Sequence, residues 1–147
     1  MTRLVGAKHV FSFDLKSATD RWPLTFMFEV VQACFGREFA SSAVNSTLAC
    51  CVFEVPFVKK KHSQVTFTAG KPLGYLSSWP LFALSNHLLI WHCAQEAYPG
   101  RYFDRYGVLG DDVVIADTEV ARLAQHYLSK LGGKIVSFSL GGFYSWL

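Results

Sequence analysis

The order of strand and helix patterns along the chain predicts an α+β fold built on an antiparallel sheet. Alternating apolar and polar residues indicate a first strand at 10–15, and two short apolar runs, 108–109 and 113–115, flank a Gly-Asp dipeptide suited to a two-residue hairpin turn. Apolar helical patterns lie between and after these strands. With 36–69 set aside as an insertion, the order is strand, helix, hairpin, helix, strand. This is the split β-α-β-β-α-β arrangement, with its helices on one face of the sheet.

The composition is that of a single folded domain. At 147 residues, with 51% hydrophobic and only 17% charged residues, the chain is long and apolar enough to bury a core, which argues against disorder. The net charge of +3 permits an anionic partner without requiring one. The apolar residues near Met1 are too few for a signal peptide, so secretion is not expected. Without any C-x-x-C spacing, we expect four reduced and mostly buried thiols, at Cys34, Cys50, Cys51 and Cys93.

The first half of the chain contains the insertion and a basic loop. After the first strand, an apolar run predicts a helix over 24–35, and 42–51 could form a short helix. Two further strands, at 52–58 and 64–68, are joined by a loop that begins with Lys59, Lys60 and Lys61. Such a loop is either a solvated turn or a contact with a phosphate backbone.

The segment 72–95 could be mistaken for a membrane span because it has no Asp, Glu, Lys or Arg. Pro72, Gly74 and Pro80 interrupt its first half, and its serines, histidines and amides would need partners inside lipid. We therefore expect no membrane span but a buried helix with a polar stripe, over 76–97.

The second half of the chain carries the hairpin. A strand is expected over 102–109, followed by the turn and by a helix over 119–131 that Asp117 or Thr118 caps. Two glycines end this helix, and 134–139 could form the last strand.

Three acidic residues are expected to meet at the hairpin. Asp111 and Asp112 lie at its tip, and Asp14 lies at the end of the first strand, which we expect to pair with the strand leading into the hairpin. By itself a Gly-Asp-Asp triplet is more often a solvated turn. Carboxylates from two strands, however, are the oxygen ligands that Mg²⁺ prefers, and two such cations about 4 Å apart can support phosphoryl transfer.

Three motifs, in this order, resemble those of viral RNA-dependent RNA polymerases, and of mitovirus polymerases in particular. Asp14 to Asp20, with five residues between the two acids, resembles motif A. Gly70 to Gly74, followed by Ser77 to Pro80, is similar to motif B, and Gly110 to Asp112 is similar to motif C.

The resemblance implies a polymerase palm with a partial fingers insertion at 37–69. It implies that Asp14, Asp111 and Asp112 are catalytic and hold Mg²⁺ or Mn²⁺, and that the partners are an RNA template and ribonucleoside triphosphates. Asp20 would read the ribose 2′-hydroxyl, which separates RNA from DNA precursors. The further nucleotide or RNA contacts that it implies are Gly74, Ser78, Asn86 and Lys71.

Two of these residues have alternatives. Lys71 is more often expected to be a solvated loop lysine than a phosphate contact. Asn86 could be a satisfied polar residue on a core helix, because Phe82 stands at the usual spacing after Ser78.

The chain also departs from the family pattern. Few residues precede the first strand, so the basic fingers motifs that grip the triphosphate are not expected, and neither is a thumb. We therefore expect an inactive remnant, as among mitovirus gene copies in plant mitochondrial genomes, and a mitochondrial location. The alternatives are a silent protein, a non-catalytic RNA-binding module that uses Lys59 to Lys61, and a reverse transcriptase or another palm-fold enzyme. Asp20 at the ribose position argues against the reverse transcriptase.

Overall fold

A computed structural model of the chain describes residues 4, 7, 9–57, 63–67, 69–72, 74–132 and 134–141. The helices are α1 (Ala18–Arg21), α2 (Leu24–Phe35), α3 (Arg37–Ala40), α4 (Ser78–Ala97) and α5 (Thr118–Lys130), and a π-helix (Ser41–Ala49) follows α3. The strands are β1 (Val10–Lys16), β2 (Val52–Val55), β3 (Ser63–Thr66), β4 (Tyr106–Leu109), β5 (Asp112–Ile115) and β6 (Lys134–Gly141). The predicted α+β class with antiparallel sheets is confirmed.

Four strands form the main sheet, in the order β4-β5-β1-β6, and every neighbouring pair is antiparallel. β1 pairs with β5, the strand that leaves the hairpin, so that Phe13 lies opposite Val113. The prediction that β1 pairs with the strand leading into the hairpin is therefore wrong. The physical reason is burial: Val113 and Ile115 of β5 are fully buried, whereas each residue of β4 keeps some exposure. The hairpin strand with three β-branched residues in succession, Val113 to Ile115, takes the inner place.

The chain divides into two compact units. One unit comprises Met1–Ala18 and Ala83–Leu147 and contains the four-stranded sheet and α5; the other comprises Thr19–Phe82 and contains α2, the π-helix and the β2-β3 hairpin. The predicted insertion lies within the second unit, and the expectation of a single domain stays a prediction. Fully buried side chains of the first unit include Phe13, Ile90, Ile115 and Leu128, and those of the second include Trp22, Met27, Val44 and Leu48.

The π-helix accounts for the short helix expected over 42–51, and its last turn shows the wider winding. The Cys50 N–H donates to the carbonyl of Asn45, five residues earlier, at 2.8 Å. The β2-β3 hairpin confirms the two expected strands in shorter form. The connecting lysines, Lys59 to Lys61, lie outside the described residues.

The sequence predicts that helix α4 is buried with a polar stripe, but only one face of it is buried, since Trp79, Trp91 and His92 are exposed. Ser78, Ser85 and Asn86 are all buried along it. Among the described residues, no helix is both long enough and apolar enough to cross a membrane.

The expectation of mostly buried cysteines is wrong. All four are free, but Cys93 alone is buried, whereas Cys34 and Cys50 are exposed and Cys51 is half-buried. Cys34 lies in the last turn of α2, and Cys50 directly follows the π-helix. Cys93, by contrast, lies on the buried face of α4 with Ile90 and Ala94.

Candidate active site

The acidic hairpin closes through the predicted two-residue turn. Leu109 of β4 lies opposite Asp112 of β5, which leaves Gly110 and Asp111 as the turn residues. Gly110 has a φ of 64°, and glycine with a positive φ at the first turn position is the pattern of a type II′ hairpin. The glycine therefore allows two carboxylates to follow one another at the end of the hairpin.

Asp14 approaches the hairpin through the pairing of β1 with β5. The strands run antiparallel with Phe13 opposite Val113, so Asp14 and Asp112 each lie one position further toward the hairpin turn. Desolvation raises the pKa of the Asp112 carboxyl, and the negative charges of Asp111 and Asp14 raise it further. The charges of Asp14 and Asp111 thus act on Asp112, although Asp14 and Asp112 come from two strands far apart in sequence.

The donor set fits a hard divalent cation by its chemistry. Carboxylate oxygens are the ligands of Mg²⁺ and Mn²⁺, and a cation would relieve the repulsion that Asp112 experiences. Within the described part of the chain, no three carboxylate, imidazole or thiol side chains are already arranged as a cation-binding group. Metal binding at Asp14, Asp111 and Asp112 therefore stays a prediction.

The glycine-rich loop from Gly70 to Ser78, called the 70–78 loop below, is tied to the segment that carries Asp20. The Gly70 N–H donates to the carbonyl of Trp22 at 3.0 Å, and the Lys71 N–H donates to the carbonyl of Thr19 at 2.7 Å. Gly70 has a φ of +76°, and a Cβ there would lie 2.4 Å from the carbonyl carbon of Asp20. Asp20 itself is exposed, so its carboxylate is accessible.

Lys71 occupies an unexpected environment. Its side chain is only 1% exposed, so the alternative of a solvated loop lysine is wrong. Nζ donates to the carbonyl of Ser78 at 2.7 Å and lies 4.4 Å from the ring centre of Phe82 and 4.7 Å from that of Trp79. The expected contact with a phosphate is not what this geometry offers, because the ammonium faces the protein interior. Local composition could not reveal this, because the enclosing aromatic residues belong to the following helix.

The other predicted contact residues differ in accessibility. Gly74 is exposed, with a φ of +92° and open space around its Cα. Ser78 and Asn86 are fully buried, and neither the Ser78 hydroxyl nor the Asn86 amide has a hydrogen-bond partner among the described residues. Asn86 is thus a core residue, in agreement with the alternative prediction, but the hydrogen-bonding capacity of its amide is not satisfied by the described residues. A role of either in nucleotide binding stays a prediction.

Sequence reasoning missed Tyr98 and Arg105, which bind the Asp117 carboxylate at the open end of the hairpin. Asp117 caps α5, as predicted, by accepting from the N–H groups of Glu119 and Val120 at 3.1 Å. Its carboxylate also accepts from the Arg105 guanidinium at 2.6 Å and from the Tyr98 hydroxyl at 3.2 Å. Arg105 directly precedes β4, and its carbonyl accepts from the N–H of Ala116, the neighbour of Asp117, at 2.9 Å. A basic and an acidic residue just outside the two hairpin strands were therefore the available signal.

Comparison with known proteins identifies relatives along nearly the whole chain. Residues 2–139 match the family model of the mitovirus RNA-dependent RNA polymerase. The chain is 65% identical over 135 residues to the uncharacterized mitochondrial protein AtMg01410 of Arabidopsis thaliana and 45% identical over 126 residues to AtMg01110 of the same organism. It is 31% identical over 129 residues to the RNA-directed RNA polymerase of Cryphonectria parasitica mitovirus 1. These matches cover 90%, 84% and 86% of this chain but only 66%, 50% and 15% of the relatives.

Two solved telomerase structures share the fold. The apo telomerase of Candida tropicalis, truncated from its C-terminal domain, superposes with a TM-score of 0.68 at 12% identity, and this covers 93% of this chain and 31% of that one. The telomerase of Candida albicans, in complex with a fragment of telomeric RNA, superposes with a TM-score of 0.71 at 11% identity, with 93% and 28% covered. The fold is thus one that polymerases use, and the family model covers far more than half of the sequence. The chain therefore belongs to the mitovirus RNA-dependent RNA polymerase family.

Proposed function

We propose that this chain forms the palm core of an RNA-dependent RNA polymerase, in which Asp14, Asp111 and Asp112 hold Mg²⁺ or Mn²⁺ for ribonucleotidyl transfer. In this proposal the four-stranded sheet is the split β-α-β-β-α-β sheet of a palm. The observation that supports it most directly is the pairing of β1 with β5, which sets Asp14 and Asp112 each one position beyond the Phe13–Val113 pair, beside the turn that carries Asp111. Both other charges raise the pKa of Asp112, and such a cluster is what a divalent cation neutralises.

Each residue has its own proposed role in nucleotide addition. Asp14 and Asp111 would ligate the cations, and Asp112 would assist them in metal binding. A pair of divalent cations, when bound, supplies positive charge to the attacking and leaving oxygens of an in-line displacement at phosphorus. Asp20 is exposed and can accept a hydrogen bond from a ribose 2′-hydroxyl, which favours ribonucleotides over deoxyribonucleotides. Gly74 leaves the backbone open to close approach by template or nucleotide.

The proposed partners are an RNA template and ribonucleoside triphosphates, and the proposed location is the mitochondrion. The Arabidopsis thaliana relatives carry mitochondrial names, which supports that location. The chain spans only part of each of these relatives. We therefore propose that it supplies the catalytic core of a polymerase, not a whole polymerase.

Primer extension on an RNA template with Mg²⁺ tests the proposal. Templated extension by the parent chain, with a loss on the order of 10²-fold or more in Asp111→Asn because one group that stabilises the transition state is removed, would establish catalysis at this site and refute the inactive remnant that the sequence predicts. Glu54→Gln is the matched control, since Glu54 is an exposed carboxylate on β2. Equal extension by the parent and Asp111→Asn would refute catalysis at this site.

A second candidate is a protein that keeps the fold without catalysis, whether an RNA-binding module or a silent remnant. It is favoured by the burial of Lys71 and Ser78, which offer no side chain to a ligand in this conformation. Salt-sensitive RNA retention that is equal in the parent and Asp111→Asn, without extension by either, would favour the binding module. The absence of both retention and extension would favour the remnant.

A further inference from the structure

We propose that Lys71 is a positioning residue, whose buried ammonium fastens the 70–78 loop to the segment 19–22 and so fixes how Asp20 is presented to a ribonucleotide. This inference rests on the proposed function for the role of Asp20. The contacts by which Lys71 holds the 70–78 loop to the segment 19–22 can be tested whether or not the chain is active.

Lys71 connects two places that are distant in sequence. Its backbone N–H donates to the carbonyl of Thr19 at 2.7 Å, just before Asp20. Its Nζ donates to the carbonyl of Ser78, the first residue of α4, also at 2.7 Å. One residue therefore holds both the start of the loop and the start of the helix that follows it.

Aromatic rings complete the connection. Phe82, whose ring centre lies 4.4 Å from Nζ, packs edge to face against Trp22 with ring centres 4.9 Å apart. The carbonyl of Trp22 in turn accepts from the Gly70 N–H. The chain of contacts thus runs from Lys71 through Phe82 and Trp22 back to Gly70. A buried ammonium is costly unless its charge is compensated, and a carbonyl together with two ring faces provides that compensation.

The backbone of Asp20 is held from both sides by this arrangement. Thr19 and Trp22, which flank it, accept the two hydrogen bonds from the loop. Gly70 fits so closely beside the carbonyl of Asp20 that a Cβ would lie 2.5 Å from the oxygen. The main chain of Asp20 is thereby immobilised while its carboxylate stays exposed. Preorganisation of this kind lowers the cost of aligning a hydrogen-bonding group with its ligand.

The first test uses the unaltered protein. Brief treatment with an amine-acylating reagent should modify the exposed Lys16 and Lys130 at least tenfold faster than Lys71, because Lys71 is enclosed. Peptide mass spectrometry measures the three rates. Acylation of Lys71 as fast as that of Lys16 would overturn the inference.

The second test compares Lys71→Met, which keeps an unbranched side chain only one atom shorter and removes its charge, with Lys130→Met on the exposed face of α5 as control. Hydrogen exchange should accelerate at least tenfold at the amides of residues 70 and 71 in the first variant and should not change in the second. Unchanged exchange in Lys71→Met would contradict the fastening.

The third test measures binding of ATP and dATP in the presence of Mg²⁺. The parent should prefer ATP, Asp20→Ala should lose that preference, and Lys71→Met should reduce it at least threefold while Lys130→Met retains it. A full preference in Lys71→Met would refute the positioning role. Equal binding of ATP and dATP by the parent would instead refute the ribose-reading part of the proposed function, and the exchange rates would then decide the fastening alone.

Discussion

Gly70 shows how strongly a single position can depend on having no side chain. Its positive φ strains any other residue, and the carbonyl of Asp20 fills the space a Cβ would need. Gly36, with a φ of +87°, is the matched control because nothing lies within 4 Å of its Cβ position. We expect Gly36→Ala to cost about 1 kcal/mol of unfolding free energy, and Gly70→Ala to cost roughly 1 to 3 kcal/mol more. Urea denaturation measures both. Equal costs would show that the close approach to Asp20 is not constraining.

The pKa of Asp112 predicts how this residue affects stability at different pH values. Its pKa is raised above the ordinary value of 3.8 by desolvation and by two neighbouring charges, so the folded state holds its proton more firmly than the unfolded state does. The contribution of Asp112 to the free energy of unfolding is therefore greatest below the ordinary pKa, where the carboxyl is protonated in both states. This contribution is lost as pH rises through the pKa of the folded state. Without divalent cations, we expect Asp112→Asn to melt a little higher than the parent at pH 7. The difference should shrink as pH falls toward 3.8.

The control for this pH series is Glu54→Gln, which removes an exposed carboxylate on β2. Its melting temperature should follow that of the parent at every pH. A lower melting temperature for Asp112→Asn at pH 7 would mean that the carboxylate stabilises the fold in the absence of a cation.

At single residues, the sequence was informative where chemistry follows from neighbours in the chain. The turn at Gly110 and the cap at Asp117 depend on local backbone geometry, so residue type and spacing predicted both. The burial of Lys71 depends on Trp79 and Phe82, which approach only when α4 folds over the loop. From sequence alone, a lysine in a glycine-rich loop is predicted to be solvated, because its contacts with Trp79 and Phe82 are not visible there.

Among the elements, helices were predicted more accurately than strand partners. Apolar periodicity indicated α2 with its observed bounds, and α4 begins two residues later than expected. The choice of β5 rather than β4 as the partner of β1 escaped prediction because both hairpin strands are apolar and short. Burial of Val113 and Ile115 decides it, and burial is a property of the assembled sheet. The strand expected over 102–109 is confined to its last four residues, since β5 offers partners only to these.

The hairpin and α5 are joined by Asp117, and its replacement should weaken both. Asp117→Ala removes the helix cap and leaves Arg105 and Tyr98 without their acceptor. We expect a loss of roughly 1 to 3 kcal/mol in unfolding free energy, of which the cap alone contributes about 1 kcal/mol. Asp117→Asn keeps an acceptor oxygen for the cap and should lose about half as much. The Arg105 guanidinium is half-exposed, so its ion pair adds only a modest part.

Chemical denaturation of the two Asp117 variants separates these contributions. Glu119→Gln is the control, because Glu119 pairs with Arg122 at 3.1 Å on the exposed face of the same helix and should change stability little. Equal losses in Asp117→Ala and Asp117→Asn would assign the effect to charge rather than to capping.

For the whole molecule, ordered motifs were more informative than composition. A net charge of +3 and 51% hydrophobic residues fit many domains, whereas three motifs in sequence predicted the family that the comparison over residues 2–139 confirms. The division into two compact units was not foreseen, because composition does not change at its boundaries. The likeness to the two telomerase structures shows the same limit, since the backbone arrangement is shared at only 11–12% sequence identity.

Binding of a divalent cation should stabilise the entire fold through the acidic cluster. A ligand that binds only the folded state adds about 2.7 kcal/mol when its concentration is 100 times the dissociation constant. We expect Mn²⁺ to raise the melting temperature of the parent at pH 7, and to have a much smaller effect on Asp14→Asn and Asp112→Asn. Because Asp112→Asn also relieves repulsion, the ranking should reverse: the variant is the more stable protein without Mn²⁺ and the less stable one at saturation. Glu54→Gln should respond as the parent does. A shift of equal size in all four proteins would indicate that Mn²⁺ acts elsewhere on the surface and that the three carboxylates do not share a cation.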